Sequence, residues 1–157
     1  MGRLWLEHGN AYVVANLRGG GEFGPPWHRA AQGATKQKTW DDFIAVADDL
    51  IRRKVTSPRR LGVIGASQGG LLVGAAITER AELFNAAIIE ALLFDMLRFT
   101  YLGAGAFWTA EYGDPAIPKQ REWIETYSPY QRRPRASCAW PQGRREARCA
   151  RPILSLL

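Results

Sequence analysis

Histidine is nearly absent from this 157-residue sequence: there are two, His8 and His28, and none follows. Late in the chain there is no imidazole to move a proton. Cysteine is as scarce, and Cys138 and Cys149 both lie near the C-terminal end, so residues 1–137 hold no thiol for a disulfide or a thiolate metal centre. Ten residues separate the two cysteines, with no further His or Cys nearby, and a metal site is not expected there. No apolar run reaches the roughly 18 residues that a membrane span needs. The opening Met-Gly-Arg-Leu-Trp-Leu has no apolar leader core and no Ser or Thr at its sixth position, so neither secretion nor myristoylation is indicated. No internal repeat is visible. The expectation is a cytoplasmic protein with no membrane partner.

A basic excess is also missing from most of the chain, although the formal net charge is +6. Residues 132–157 hold seven of the 21 basic residues, all arginine, and one of the 15 acids, Glu146. The remaining 14 of each sign cancel. The charge therefore describes a tail on a neutral globular body of one-domain size.

That body reads as alternating strands and helices. Tyr12 to Leu17 is an apolar run rich in β-formers, as expected of a strand buried on both faces. A Gly/Pro-rich loop follows from Arg18 to Pro26. Thr39-x-x-Asp42 resembles a capping box, and Phe43, Ile44, Ala47, Leu50 and Ile51 recur at helical spacing until Ser57-Pro58. Leu61 to Ala66 reads as a second buried strand, 69–79 as a helix, and Ala86 to Ala91 as a third strand. Pro118 opens a helix through Tyr127 with Trp123 and Ile124 on its apolar side. This order predicts an α/β fold with a mostly parallel sheet and flanking helices.

Between the second strand and its helix stands Gly65-Ala66-Ser67-Gln68-Gly69. Glycines flank the serine because the turn is tight, and side chains two positions either way are expected to meet neighbouring backbone. Such a turn lifts the Ser67 hydroxyl to the end of the sheet and makes it a candidate nucleophile. The backbone N–H of Gln68, at the positive end of the helix, is then placed to steady an oxyanion. The alternative is a turn that serves packing alone.

Three segments in order give a more specific likeness: Val13-Val-Ala-Asn-Leu-Arg-Gly-Gly-Gly-Glu-Phe-Gly-Pro-Pro-Trp-His28, the Ser67 turn through Val73, and Phe107-Trp-Thr-Ala-Glu-Tyr-Gly-Asp114. Asp41-Asp42-Phe43 and Tyr127-Ser-Pro-Tyr130 fit the same pattern. Together they resemble the catalytic domain of the prolyl oligopeptidase family of serine peptidases, over roughly residues 5 to 131. The resemblance implies a partial α/β-hydrolase fold, truncated at both ends, acting on short peptides and needing no cofactor or metal. It implies Ser67 as nucleophile and Gln68 as a backbone oxyanion donor, where the family usually has Asn. It also implies Trp108 as the aromatic that packs on a substrate proline, with Tyr112 beside it in the substrate-facing segment. Read without the family, Trp108 is equally a core aromatic.

In α/β-hydrolases the acid and then the histidine follow the serine along the chain. No histidine follows Ser67, and none of the nine acids after it lies in sequence like the family's triad-Asp segment. His28 falls in a loop motif where the resemblance implies a structural role. The resemblance also implies an absent strand between 12–17 and 61–66, which leaves unpaired backbone facing a gap of about two strand spacings, roughly 9–10 Å. The expectation is serine-type peptidase ancestry with little or no turnover in this chain. An esterase-like α/β-hydrolase fragment remains open as an alternative.

Residues 1–131 are thus expected to form a partial catalytic domain. Residues 132–157, without periodicity and rich in Arg, Ala and Pro, are expected to be a non-family tail, disordered or translated out of frame. A non-catalytic protein whose basic tail binds nucleic acid is the rival, disfavoured because the tail has no lysine and no regular aromatic interleaving. Gly19-x-Gly21-x-x-Gly24 resembles a dinucleotide fingerprint, but Pro25-Pro26 and a polar loop follow where a long helix is required.

Overall fold

The computed structural model describes residues 2–91 and 93–132. Its helices are α1 (Gly2–Glu7), α2 (Pro25–Arg29), α3 (Gln37–Arg52), α4 (Gln68–Glu79), α5 (Thr109–Tyr112), α6 (Pro118–Tyr127) and α7 (Pro129–Arg132), joined by short 3-10 turns. Two strands, β1 (Gly62–Ala66) and β2 (Ala86–Glu90), pair in parallel, from Gly62 opposite Ala86 to Ala66 opposite Glu90. Helix α4 makes the crossover between them. The α/β expectation holds, and the helices expected over 69–79 and 118–127 stand as α4 and α6.

Helix α4 forms because Leu71, Val73, Ala75 and Ala76 give it an almost wholly apolar body, and it is buried accordingly. Leu71 and Ala75 join Trp40, Met96, Phe99, Tyr112, Ile124 and Tyr127 in one core cluster. Ala76 joins Ala47, Leu83 and Phe84 in a second, covered by Phe43, Ile44 and Ile51 of α3. Phe43, Ile44, Ala47 and Ile51 of α3 thus face the second cluster, while Trp40 near its start reaches the first.

Three expectations are corrected. Tyr12–Leu17 is not a strand: it runs as irregular chain with Tyr12, Val13 and Val14 exposed and only Leu17 buried. A strand is held by its neighbour's hydrogen bonds, and no strand among the described residues lies beside this one, so β-propensity has nothing to pair with. Secondly, β1 and β2 are covered on one face only. Ile64 and Ile88, opposite each other in the register, are 38% and 50% exposed.

Thirdly, Thr39 and Asp42 do not cap a helix. The helix starts earlier, at Gln37, and both side chains reach back to Arg18. The Thr39 hydroxyl donates to the Arg18 carbonyl at 2.9 Å. The Asp42 carboxylate accepts from the Arg18 backbone N–H at 3.1 Å and from its guanidinium at 2.8 and 2.5 Å.

Residues 133–157 lie outside the described residues, as does most of the proposed tail and both cysteines. Arg132 ends α7 and its guanidinium pairs with Glu79. Among the described residues no helix is long and apolar enough to cross a membrane.

Candidate active site

Ser67 sits between the end of β1 and the first residue of α4, with φ 53° and ψ −118°, a conformation that side chains rarely adopt. The turn is held from three sides. The Ser67 N–H donates to the Glu90 carbonyl at 3.0 Å, extending the ladder from β2. The Ser67 carbonyl accepts from the N–H groups of Gly70, at 2.9 Å, and Leu71, at 3.2 Å. The residue is exposed.

The glycine requirement is only partly the expected one. A Cβ on Gly65 would overlap the Gly69 carbonyl group and lie 3.0 Å from Val73. A Cβ on Gly69 would meet nothing within 4 Å. The second constrained glycine is Gly70, where a Cβ would stand 3.0 Å from the Glu90 carbonyl and 3.2 Å from Ile89. Close approach of α4 to β2 therefore explains Gly70, and Gly69 is left facing open space.

That space is a cleft of about 710 Å³, lined by Gly19, Gly21, Glu22, His28, Gln68 and Gly69 among others. The backbone N–H of Gln68, first in α4, makes no hydrogen bond among the described residues. The loop over the cleft is fixed by Arg18 and its grip on Asp42, and by the Gly19 N–H donating to the Trp27 carbonyl at 3.0 Å. After Gly24 the chain enters α2, so Pro25 and Pro26 occupy a helical first turn and not a loop, where proline's missing N–H costs nothing. At five residues α2 is too short for a dinucleotide helix, and among the described residues no strand precedes it.

Trp108 caps α5 and is 49% exposed, beside Phe107 at 86%. It does not line the cleft. Tyr112, expected to face substrate, instead points into the core at 1% exposed, edge-on to Phe99 with ring centroids 5.7 Å apart. Burial pushes its phenol up from the ordinary value, assisted by the charge of Glu111.

Neither histidine bonds to Ser67. His8 Nδ1 lies 2.7 Å from the Leu4 carbonyl, and His28 Nε2 lies 3.0 Å from Glu111 Oε2. Asp95 is also engaged elsewhere, accepting from Arg98 at 2.6 Å and Gln131 at 2.9 Å. Burial raises its pKa, but those bonds outweigh burial and hold it below the ordinary aspartate range.

One constellation has no local sequence signal. Lys36, fully buried, donates to Glu111 Oε1 at 2.5 Å, and Gln32 donates to Glu111 Oε2 at 3.1 Å. Burial lowers the Lys36 ammonium, and its bond to Glu111 restores part of the loss. Burial raises the Glu111 carboxyl, but Lys36, Gln32 and the nearby His28 reverse this and leave it below the ordinary range. The ammonium and the carboxylate thus lie within ion-pair distance, with Lys36 wholly removed from solvent. Among the described residues no three His, Cys, Asp or Glu side chains converge as metal ligands.

Comparison with known proteins turns this turn-and-cleft geometry into a family assignment. The prolyl oligopeptidase family model matches residues 3–140. The chain belongs to the prolyl oligopeptidase family. It is 49% identical over 142 residues to an uncharacterized peptidase of Sinorhizobium fredii, covering 90% of this chain and 19% of that protein. The structure of a post-proline cleaving enzyme from Rickettsia typhi superposes with a TM-score of 0.81 at 47% identity, covering 83% of this chain and 19% of that one. Prolyl oligopeptidase B from Galerina marginata, bound to a 25mer macrocyclization substrate, superposes at 0.71 with 42% identity, covering 74% of this chain and 16% of its own. The chain therefore spans about a fifth of the length of these relatives, within an α/β-hydrolase catalytic domain.

Proposed function

We propose that this chain carries the nucleophile half of a serine peptidase site that acts on short peptides through an acyl-enzyme on Ser67. The observation that carries the reading is the positive-φ turn itself, which exposes the hydroxyl beside the free Gln68 N–H. Attack on a peptide carbonyl would place the developing oxyanion near that N–H and the positive end of α4. Trp108, exposed and held at the head of α5, is the proposed contact for a substrate proline, with Tyr112 anchoring the segment behind it. Peptide is the favoured ligand because the Galerina marginata relative was solved with one bound.

The same reading makes the chain by itself inactive. Both histidines are committed to other acceptors, and no base stands at Ser67 among the described residues. Loss of the base in a serine protease costs on the order of 10⁶ in kcat, a subtilisin figure, or roughly 8 kcal/mol of transition-state stabilisation.

A fluorophosphonate probe with and without added imidazole tests both parts. Without imidazole no labelling is expected. With it, slow labelling that Ser67→Ala abolishes is expected. Ser67-dependent labelling in plain buffer would end the inactivity reading, and none in imidazole would end the nucleophile reading.

A further inference from the structure

Helix α5 is a single turn of four residues, too short to hold its shape by its own hydrogen bonds. The two aromatics just before it, Phe107 and Trp108, reach the surface, Trp108 with half its area covered. The far end of the turn supplies a further hold on the direction of the Trp108 ring. There the chain is anchored twice. The Tyr112 carbonyl accepts from Trp123 Nε1 of α6 at 3.1 Å. The Glu111 side chain, three residues after Trp108, is bonded by Lys36, Gln32 and His28, which all lie in the segment leading into α3 or in α2.

We propose that Glu111 is a positioning residue: gripped by Lys36 and Gln32, it ties α5 to the start of α3 and so fixes where Trp108 presents its ring. The Lys36 ammonium adds to this by lying 5.8 Å from the centroid of the Trp40 ring and 5.5 Å from that of Tyr112, so the cation is lodged between the two elements it joins. A leucine pair of similar volume would fill the same space without direction. The bonds to two carboxylate oxygens, from two residues four apart in sequence, set an orientation as well as a distance. Because His28 also lines the cleft beside Gln68, the same carboxylate connects the cleft wall to the turn carrying Trp108. The inference rests on the reading of Trp108 as a substrate contact only for its consequence, and its geometry stands apart from it.

The test is fluorine NMR of the chain labelled with fluorotryptophan, with the Trp108 line assigned by Trp108→Phe and the fold followed by amide exchange in α4. In Glu111→Gln the α4 amides stay protected while the Trp108 line moves to its position in the urea-unfolded chain. An unmoved Trp108 line with α4 protected overturns the proposal. Should Glu111→Gln lose α4 protection, Gln32→Leu, which cuts one bond at the rim, decides in the same way. A moved line with α4 intact supports the proposal, and an unmoved one ends it. A proline-containing tetrapeptide titrated into the unsubstituted chain separates the two readings. No response at Trp108 removes the substrate contact and leaves the result for Glu111 standing.

Discussion

Arg18 gives its backbone N–H and two guanidinium nitrogens to a single carboxylate, that of Asp42, which joins the glycine loop over the cleft to the middle of the first turns of α3. The hydrogen bond from the Arg18 side chain, against a smaller burial effect, holds the Asp42 pKa below the ordinary 3.8.

Acid should therefore loosen this loop. Because the folded carboxyl titrates below its unfolded value, the unfolded chain takes up the proton first. The bond's contribution is complete above about pH 5 and is lost as pH falls through the folded value. Thermal melts at pH 6 and pH 3 are expected to differ less in Asp42→Asn than in the unsubstituted chain. An equal or greater difference in the variant would show that Asp42 is not the group responsible.

The glycines around Ser67 should respond unequally. Gly65→Ala drives a methyl into the Gly69 carbonyl and is expected to destabilise by about 1–3 kcal/mol or more. Gly70→Ala, with 3.0 Å to the Glu90 carbonyl, should cost less but remain unfavourable. Gly69→Ala meets open space inside a helix, so it should be neutral or stabilising by up to ~1 kcal/mol. Urea denaturation of the three variants ranks them, and a Gly69→Ala more damaging than Gly65→Ala contradicts the geometry.

This ranking also marks what the residues disclose by themselves. The path from β1 through Ser67 to α4 was legible because its determinants are neighbours in sequence: an apolar run, a tight turn, then an apolar helix. Helix α6 was legible for the same reason, with Pro118 at its start and Ile124 on its buried side. Tyr12–Leu17 was misread because a strand depends on a partner that local composition does not reveal. Thr39 and Asp42 have the spacing of a cap, yet their partner Arg18 lies 21 and 24 residues away. Lys36 and Glu111 are 75 residues apart, and nothing near either distinguishes a buried charge from a solvated one.

The uncovered sheet face should be detectable. Ile64 and Ile88 stand side by side and exposed, a pairing that favours binding of an apolar dye such as ANS. Ile88→Lys is expected to lower ANS fluorescence while leaving the far-ultraviolet circular dichroism unchanged. Undiminished dye binding would place the accessible apolar surface elsewhere, with the exposed Val13–Val14 stretch the next to test.

Ser67 should trade stability for chemistry. Its φ of 53° with ψ −118° is a conformation that costs a residue with a side chain about 1–3 kcal/mol, and glycine adopts it freely. Glycine's greater unfolded-state entropy offsets roughly 0.5–1 kcal/mol of that relief. Ser67→Gly is thus expected to be more stable than the unsubstituted chain by up to ~2 kcal/mol, while Ser67→Ala, which keeps its Cβ and the strain, gains nothing. Both lose the hydroxyl, so both abolish imidazole-assisted labelling by the fluorophosphonate. The comparison separates strain from chemistry: urea midpoints report the first and labelling the second. A Ser67→Gly midpoint at or below that of Ser67→Ala would mean that the turn is relaxed and that its conformation costs the fold nothing.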